Sequence, residues 1–145
     1  MKNQMQITFL SKSENESFAR ATVGAFVAQI DPTLDEVTEI KTVISEAVTN
    51  AIIHGYENRS DEWIVIDCLL ENDEITIKII DEGIGIDNIA IAMEPLFTSK
   101  EHLDRSGMGF TIMETFMDGI QVESEIGKGT TVILKKQLVK TTVFQ

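Results

Sequence analysis

Ser45-Glu46-Ala47-Val48-Thr49-Asn50-Ala51-Ile52-Ile53-His54-Gly55 is the stretch around which the chain is organised. Ile44, Ala47, Val48, Ala51 and Ile52 fall on one stripe at helical spacing. Glu46 and Asn50 are four apart, so they share a face, one turn above the other. A carboxylate there can take a proton or orient a hydroxyl, and a neutral amide oxygen suits Mg²⁺. Taken alone, Glu-x-x-x-Asn reads as a surface face that happens to carry the two residues. The rest of the chain has to decide.

Upstream, Met5, Ile7 and Phe9 alternate and predict a first strand over Met5–Leu10. Ser13-Glu14-Asn15-Glu16 has the pattern of a capping box, opening a helix to about Ile30 with Phe18, Ala21, Ala25 and Phe26 on one side. Arg20 follows Glu16 by one turn and reads as an ion pair along that helix. Asp31-Pro32 breaks it. Thr33-Leu34-Asp35-Glu36 is a second capping box, starting the long helix of the opening stretch. Gly55 is placed to cap its end.

Downstream, Trp63–Leu70 and Ile75–Asp81 predict a hairpin across Glu71-Asn72-Asp73-Glu74. Period two puts Asp81 on the same face as Ile75, Ile77 and Ile79. The core-facing side of that strand therefore ends in a carboxylate, and a buried carboxylate calls for a partner. Asp81-Glu82-Gly83-Ile84-Gly85 leaves the sheet through two glycines, and a short helical piece is expected from about Asn88 to Met93. Glu94–Ser106 has no clear period and holds Lys100, His102 and Arg105; a loop of that length is usually functional. Ser106-Gly107-Met108-Gly109-Phe110 leads into a helix to about Asp118, with Ile112, Met113, Phe116 and Met117 as its packing face. Ile120–Ile126 and Thr130–Gln137 predict a last hairpin, followed by a loose tail. The expected class is α+β: a two-layer sandwich with helices on one face of a mixed, largely antiparallel sheet. Residues 1–138 are read as one domain and 139–145 as a flexible tail.

The 145 residues are enough for one such domain, and 43% hydrophobic with 25% charged residues is ordinary for a globular chain. The net charge of −12 and the lack of any basic run speak against direct nucleic-acid binding. No apolar run approaches the roughly 18 residues of a membrane span, and no signal-peptide pattern opens the chain. The lone Cys68 cannot form an internal disulfide. A cytoplasmic location is expected.

The common nucleotide fingerprints fail. No G-x-x-x-x-G-K-[ST] is present, and Gly83-x-Gly85 is not completed, because the third position is Asn88. What remains is an ordered set: Glu-x-x-x-Asn on a helix, Asp-x-Gly-x-Gly after a strand, Gly-x-Gly entering a helix, and Gly-Thr-Thr opening the last strand. This set resembles the ATPase superfamily of gyrase, the heat-shock chaperone of that type, histidine kinases and mismatch-repair ATPases. Ser45–Tyr56, Pro95-Leu96-Phe97-Thr98-Ser99-Lys100 and Arg105–Glu114 narrow the resemblance to the sporulation anti-sigma-F family of serine kinases. The likeness reaches back through Asn15–Arg20; departures lie mostly in Glu62–Glu74 and the tail.

The resemblance implies a Bergerat-type ATP-binding fold using ATP/ADP and Mg²⁺. Asn50 would be the Mg²⁺ ligand and Glu46 the base that deprotonates the attacking hydroxyl. Asp81 would accept from the adenine amino group, with Gly83 and Gly85 giving the backbone close approach and Thr130 supporting the adenine end. Gly107 and Gly109 would leave room for phosphate at a helix start. Lys100 and Arg105 would reach the terminal phosphate from a lid, Arg105 in a catalytic role. Thr98, Ser106, Met108 and Phe110 would complete the nucleotide-binding set. The partners implied are a sigma factor and an anti-anti-sigma factor phosphorylated on serine, bound by a homodimer. Two alternatives stay open: a binding module that uses ATP without kinase activity, and a stand-alone ATP hydrolase.

Overall fold

The computed structural model describes residues 2–89, 93 and 109–139. Strand β1 (Lys2–Leu10) leads to helix α1 (Glu14–Val27), which tightens into a 3₁₀ turn over Ala28–Ile30. Helix α2 (Leu34–Asn50) runs directly into a π-helical turn, Ala51–Gly55. Strands β2 (Trp63–Glu71) and β3 (Glu74–Asp81), helix α3 (Gly109–Phe116), and strands β4 (Gly119–Glu125) and β5 (Gly129–Gln137) complete the order. The five strands form one sheet in the order β1-β2-β3-β5-β4. Every pairing is antiparallel among the described residues, where a mixed sheet was allowed for. The three helices cover one face.

The core lies between the layers. Ile64, Ile66, Cys68 and Leu70 of β2 and Ile75, Ile77 and Ile79 of β3 alternate inward beneath Ile40, Val43, Ile44, Ala47 and Val48 of α2. Cys68 packs as a small hydrophobe, and burial pushes its thiol up to about 12. The β2–β3 turn is made by Asn72 and Asp73, both at positive φ, as a two-residue hairpin with right-handed strand twist requires. Met113 and Met117 are buried and Phe116 packs against the same core, so the methionine-rich stripe is packing.

The capping box of α2 is formed: Glu36 N donates to Thr33 Oγ1 at 3.1 Å, and Thr33 N to Glu36 Oε1 at 2.8 Å. The one expected for α1 is not. Ser13 is itself in helical conformation (φ −60°, ψ −29°), so its side chain does not turn back over the first turn, and no cap bond forms. The buried face of α1 also differs from the expected one. Ala19, Val23, Phe26 and Val27 face the core; Ala21 and Ala25 are exposed and Phe18 is 55% exposed. Helix α1 has apolar residues on two faces, and α2 selects one. Gly24 lies where a Cβ would meet the Lys41 side chain crossing from α2. Arg20 does not simply run along α1: its Nη1 crosses to Ser45 Oγ at 3.1 Å, and Thr49 donates to Glu16 at 2.6 Å.

Beyond the last strand, Val139 N donates to Glu36 Oε2 at 2.8 Å, tying the chain back to the start of α2; residues 140–145 lie outside the described part. The start of the short helical piece is present as a bond from Met93 N to Ile89 O. Among the described residues no helix is long and apolar enough to cross a membrane.

Candidate functional site

Strand β3 delivers Asp81 to the inner face at its last position, 7% exposed, as its alternation requires. Across the β3–β5 ladder Asp81 stands opposite Thr130, which shares the inward face of β5 with Val132 and Leu134. Gly83 N donates to Asp81 Oδ1 at 2.9 Å. Burial pushes the carboxyl up to about 6, and the backbone amides of Gly83 and Thr130 hold it from rising further.

The ceiling over Asp81 is the end of the α2 helix. The π turn places Gly55 so close that a Cβ there would stand 2.8 Å from Asp81 Oδ1. Gly55 is therefore not a left-handed cap. The positive-φ residues that turn the chain are Glu57 and Asn58. Gly55 is glycine because the carboxylate occupies the space a side chain would need. Gly55 O accepts from Ile84 N at 2.9 Å, and a Cβ on Gly83 would collide with that same carbonyl. Gly85 has φ +81°, and a Cβ on it would strike the Glu125 carbonyl. The two glycines thus let the segment after β3 pass between the helix end and the β4–β5 hairpin.

Two side chains outside the expected set hold this segment. Tyr56, 1% exposed, donates to Trp63 O at 2.6 Å and accepts from Glu82 N at 2.7 Å. Burial raises its phenol above the usual range. Ser124 Oγ accepts from Ile86 N at 2.7 Å and lies 2.8 Å from Thr130 Oγ1. Neither is among the expected site residues, although Tyr56 closes the Ser45–Tyr56 stretch. Tyr56 is an aromatic residue in a polar loop, and the only sign for Ser124 is its place opposite Thr130 in the last hairpin.

Glu46 and Asn50 are half-buried on α2, Asn50 being the last residue before the π turn. Their neighbours Ser45 and Thr49 are held by Arg20 and Glu16, which sets the rotation of α2. Among the described residues no cluster of three or more His, Cys, Asp or Glu side chains is placed to hold a metal ion. Asn50 and Glu46 at the end of α2 fit Mg²⁺, which takes one or two side chains plus substrate phosphates. Gly109 begins α3, and Phe110 packs against the core beside it. The structure thus gathers Asp81, Gly83, Gly85 and Thr130 beneath Gly55, with Asn50 and Glu46 further back along the same helix. Thr98, Lys100, Arg105, Ser106, Gly107 and Met108 lie outside the described residues.

Residues 9–136 match the histidine kinase-like ATPase domain family. The chain is 63% identical over 135 residues to the anti-sigma F factor of Clostridium beijerinckii, covering 93% of this chain and 94% of that one. It is 60% identical over 141 residues to the anti-sigma F factor of Geobacillus thermodenitrificans, covering 97% of each. Among solved structures it is similar in fold to the RsbU and RsbW domains of a Mycobacterium tuberculosis protein. The TM-score there is 0.66 at 23% identity, over 94% of this chain and 32% of that one.

Proposed function

The chain belongs to the histidine kinase-like ATPase family and, within it, to the anti-sigma F factors, and from that premise we propose that it is a Mg²⁺-ATP-dependent serine-protein kinase that also sequesters a sporulation sigma factor. Its protein substrate is an anti-anti-sigma factor, modified on a serine. Family membership also supports a homodimer working in the cytoplasm.

The observation that carries the reading is the buried Asp81 carboxylate at the end of β3, fenced by Gly55, Gly83 and Thr130. An ionised carboxylate only accepts hydrogen bonds, so this position suits the amino group of adenine and opposes the carbonyl of guanine. Asn50 would hold Mg²⁺, which when bound supplies charge neutralisation for the phosphates. Glu46, one turn earlier, is the base that takes the proton of the substrate serine hydroxyl as its oxygen attacks the terminal phosphate. Gly107 and Gly109 leave the phosphates access to the start of α3. Lys100 and Arg105 add positive charge at the terminal phosphate, Arg105 acting in catalysis. Thr98, Ser106, Met108 and Phe110 complete the nucleotide contacts.

The test is incubation of the purified protein with labelled ATP, Mg²⁺ and a candidate antagonist, followed by mapping of the label. We expect phosphoserine on the antagonist. We expect Glu46→Gln to bind ATP and inhibit the sigma factor while transfer stops. Transfer at a near wild-type rate in that variant removes Glu46 as the base. Label released only as free phosphate makes the protein a hydrolase instead.

A further inference from the structure

Ser124 on β4 stands directly opposite Thr130 on β5, and its hydroxyl oxygen meets three groups. These are Ile86 N at 2.7 Å, Gly129 O at 2.9 Å and Thr130 Oγ1 at 2.8 Å. Valence sets the direction of each bond. An amide N–H only donates, a carbonyl oxygen only accepts, and a serine hydroxyl has one proton and two lone pairs. The Ser124 proton therefore goes to Gly129 O, and one lone pair takes the Ile86 N–H. The bond that remains must be donated by Thr130. With its single proton committed, the Thr130 hydroxyl has only lone pairs left to offer, next to Asp81, its partner across the β3–β5 ladder.

We propose that Ser124 is a positioning residue for base selection: by taking the Thr130 proton it keeps Thr130 an acceptor, so that Thr130 and Asp81 together present acceptors only. That pattern suits the two N–H groups of a 6-amino purine and rejects a 6-oxo purine. The inference rests on the adenine-binding reading above and adds to it the residue that decides the orientation of the threonine hydroxyl. Without Ser124, the Thr130 hydroxyl is released and can turn its proton towards a 6-oxo group.

The experiment compares ADP with IDP, in which a 6-oxo group and an N1–H replace the 6-amino group and bare N1 of adenine, by calorimetry with Mg²⁺ at pH 8. Wild-type protein is expected to prefer ADP, and Ser124→Ala to reduce that preference about threefold to tenfold, the range of one hydrogen bond. A general loosening of the loop would weaken both nucleotides and leave the ratio alone. Ser124→Thr, which keeps a hydroxyl, is expected to restore the preference. In a Thr130→Val background Ser124→Ala is expected to change the ratio no further, since its effect runs through Thr130. Thr130→Val alone leaves the bonds of Ser124 to Ile86 and Gly129 and reads the same wiring if Ser124→Ala does not fold; it too is expected to lower the ADP preference. ADP binding with a ratio unmoved by Ser124→Ala, or by Thr130→Val where Ser124→Ala does not fold, overturns the role of Ser124. A wild-type protein that binds neither nucleotide overturns the adenine reading itself, and this inference with it.

Discussion

Gly55 and Asp81 compete for the same volume: a methyl group on Gly55 would stand 2.8 Å from Asp81 Oδ1. One belongs to the end of a helix and the other to the end of a strand, 26 positions later. Their contact joins the helix that carries Glu46 and Asn50 to the floor of the proposed adenine pocket.

Gly55→Ala is expected to cost about 1–3 kcal/mol of stability and to weaken nucleotide binding at least tenfold, because either the π turn or Asp81 must move. Gly55 does not have a left-handed φ, so the cost is steric. Gly127→Ala is the control. It has φ +81° with nothing near the added Cβ, so it should lose stability through backbone strain and keep nucleotide affinity. Calorimetric titration and denaturant midpoints of both variants check this.

Asp81 should make the nucleotide-free protein less stable as pH rises. Its folded-state carboxyl sits at about 6, above the ordinary value of 3.8, so the native state binds the proton more tightly than the unfolded chain. Below about pH 3.8 both states are protonated and the penalty is absent; it grows as pH rises to about 6 and is full above, at about 3 kcal/mol. Asp81→Asn does not titrate. Its stability relative to wild type should therefore improve by up to that amount between pH 4 and pH 7, followed by urea unfolding, while its ATP binding is lost.

Tyr56→Phe removes one oxygen and takes the phenol from two part-buried backbone groups, Trp63 O and Glu82 N. The expected loss is about 2 kcal/mol, larger than that of a surface tyrosine. Hydrogen exchange should show the Glu82 amide losing protection before the strands do.

Lys136 donates to Phe116 O at 2.7 Å and pairs with Glu39 at 3.3 Å, closing the C-terminal end of α3 against α2. Lys136→Met keeps the aliphatic stem and removes the charge. We expect a loss of about 1–2 kcal/mol, from the helix end and the ion pair together. Glu39→Gln should cost less, because the bond to the helix carbonyl survives. Denaturant midpoints separate the two.

Periodicity carried much of the reading. The stripe of α2, the inward row Ile75, Ile77, Ile79 and Asp81, and the Thr33–Glu36 box all follow from local backbone geometry. Period and capping act over a few residues, so they can be read along the chain. The sequence by itself determined the order of helices and strands, and that a carboxylate would end the inner face of β3.

Only the tertiary structure decided which of two apolar faces of α1 is buried, because Phe18 and Val23 are equally hydrophobic until α2 lies against one of them. It alone also decided that Gly55 and Gly83 are glycines for clearance, that Tyr56 ties Trp63 to Glu82, and that the Ser124 hydroxyl stands between Ile86 and Thr130. Each is a relation in space between segments brought together by packing, and no local pattern along the chain records how closely two such segments approach.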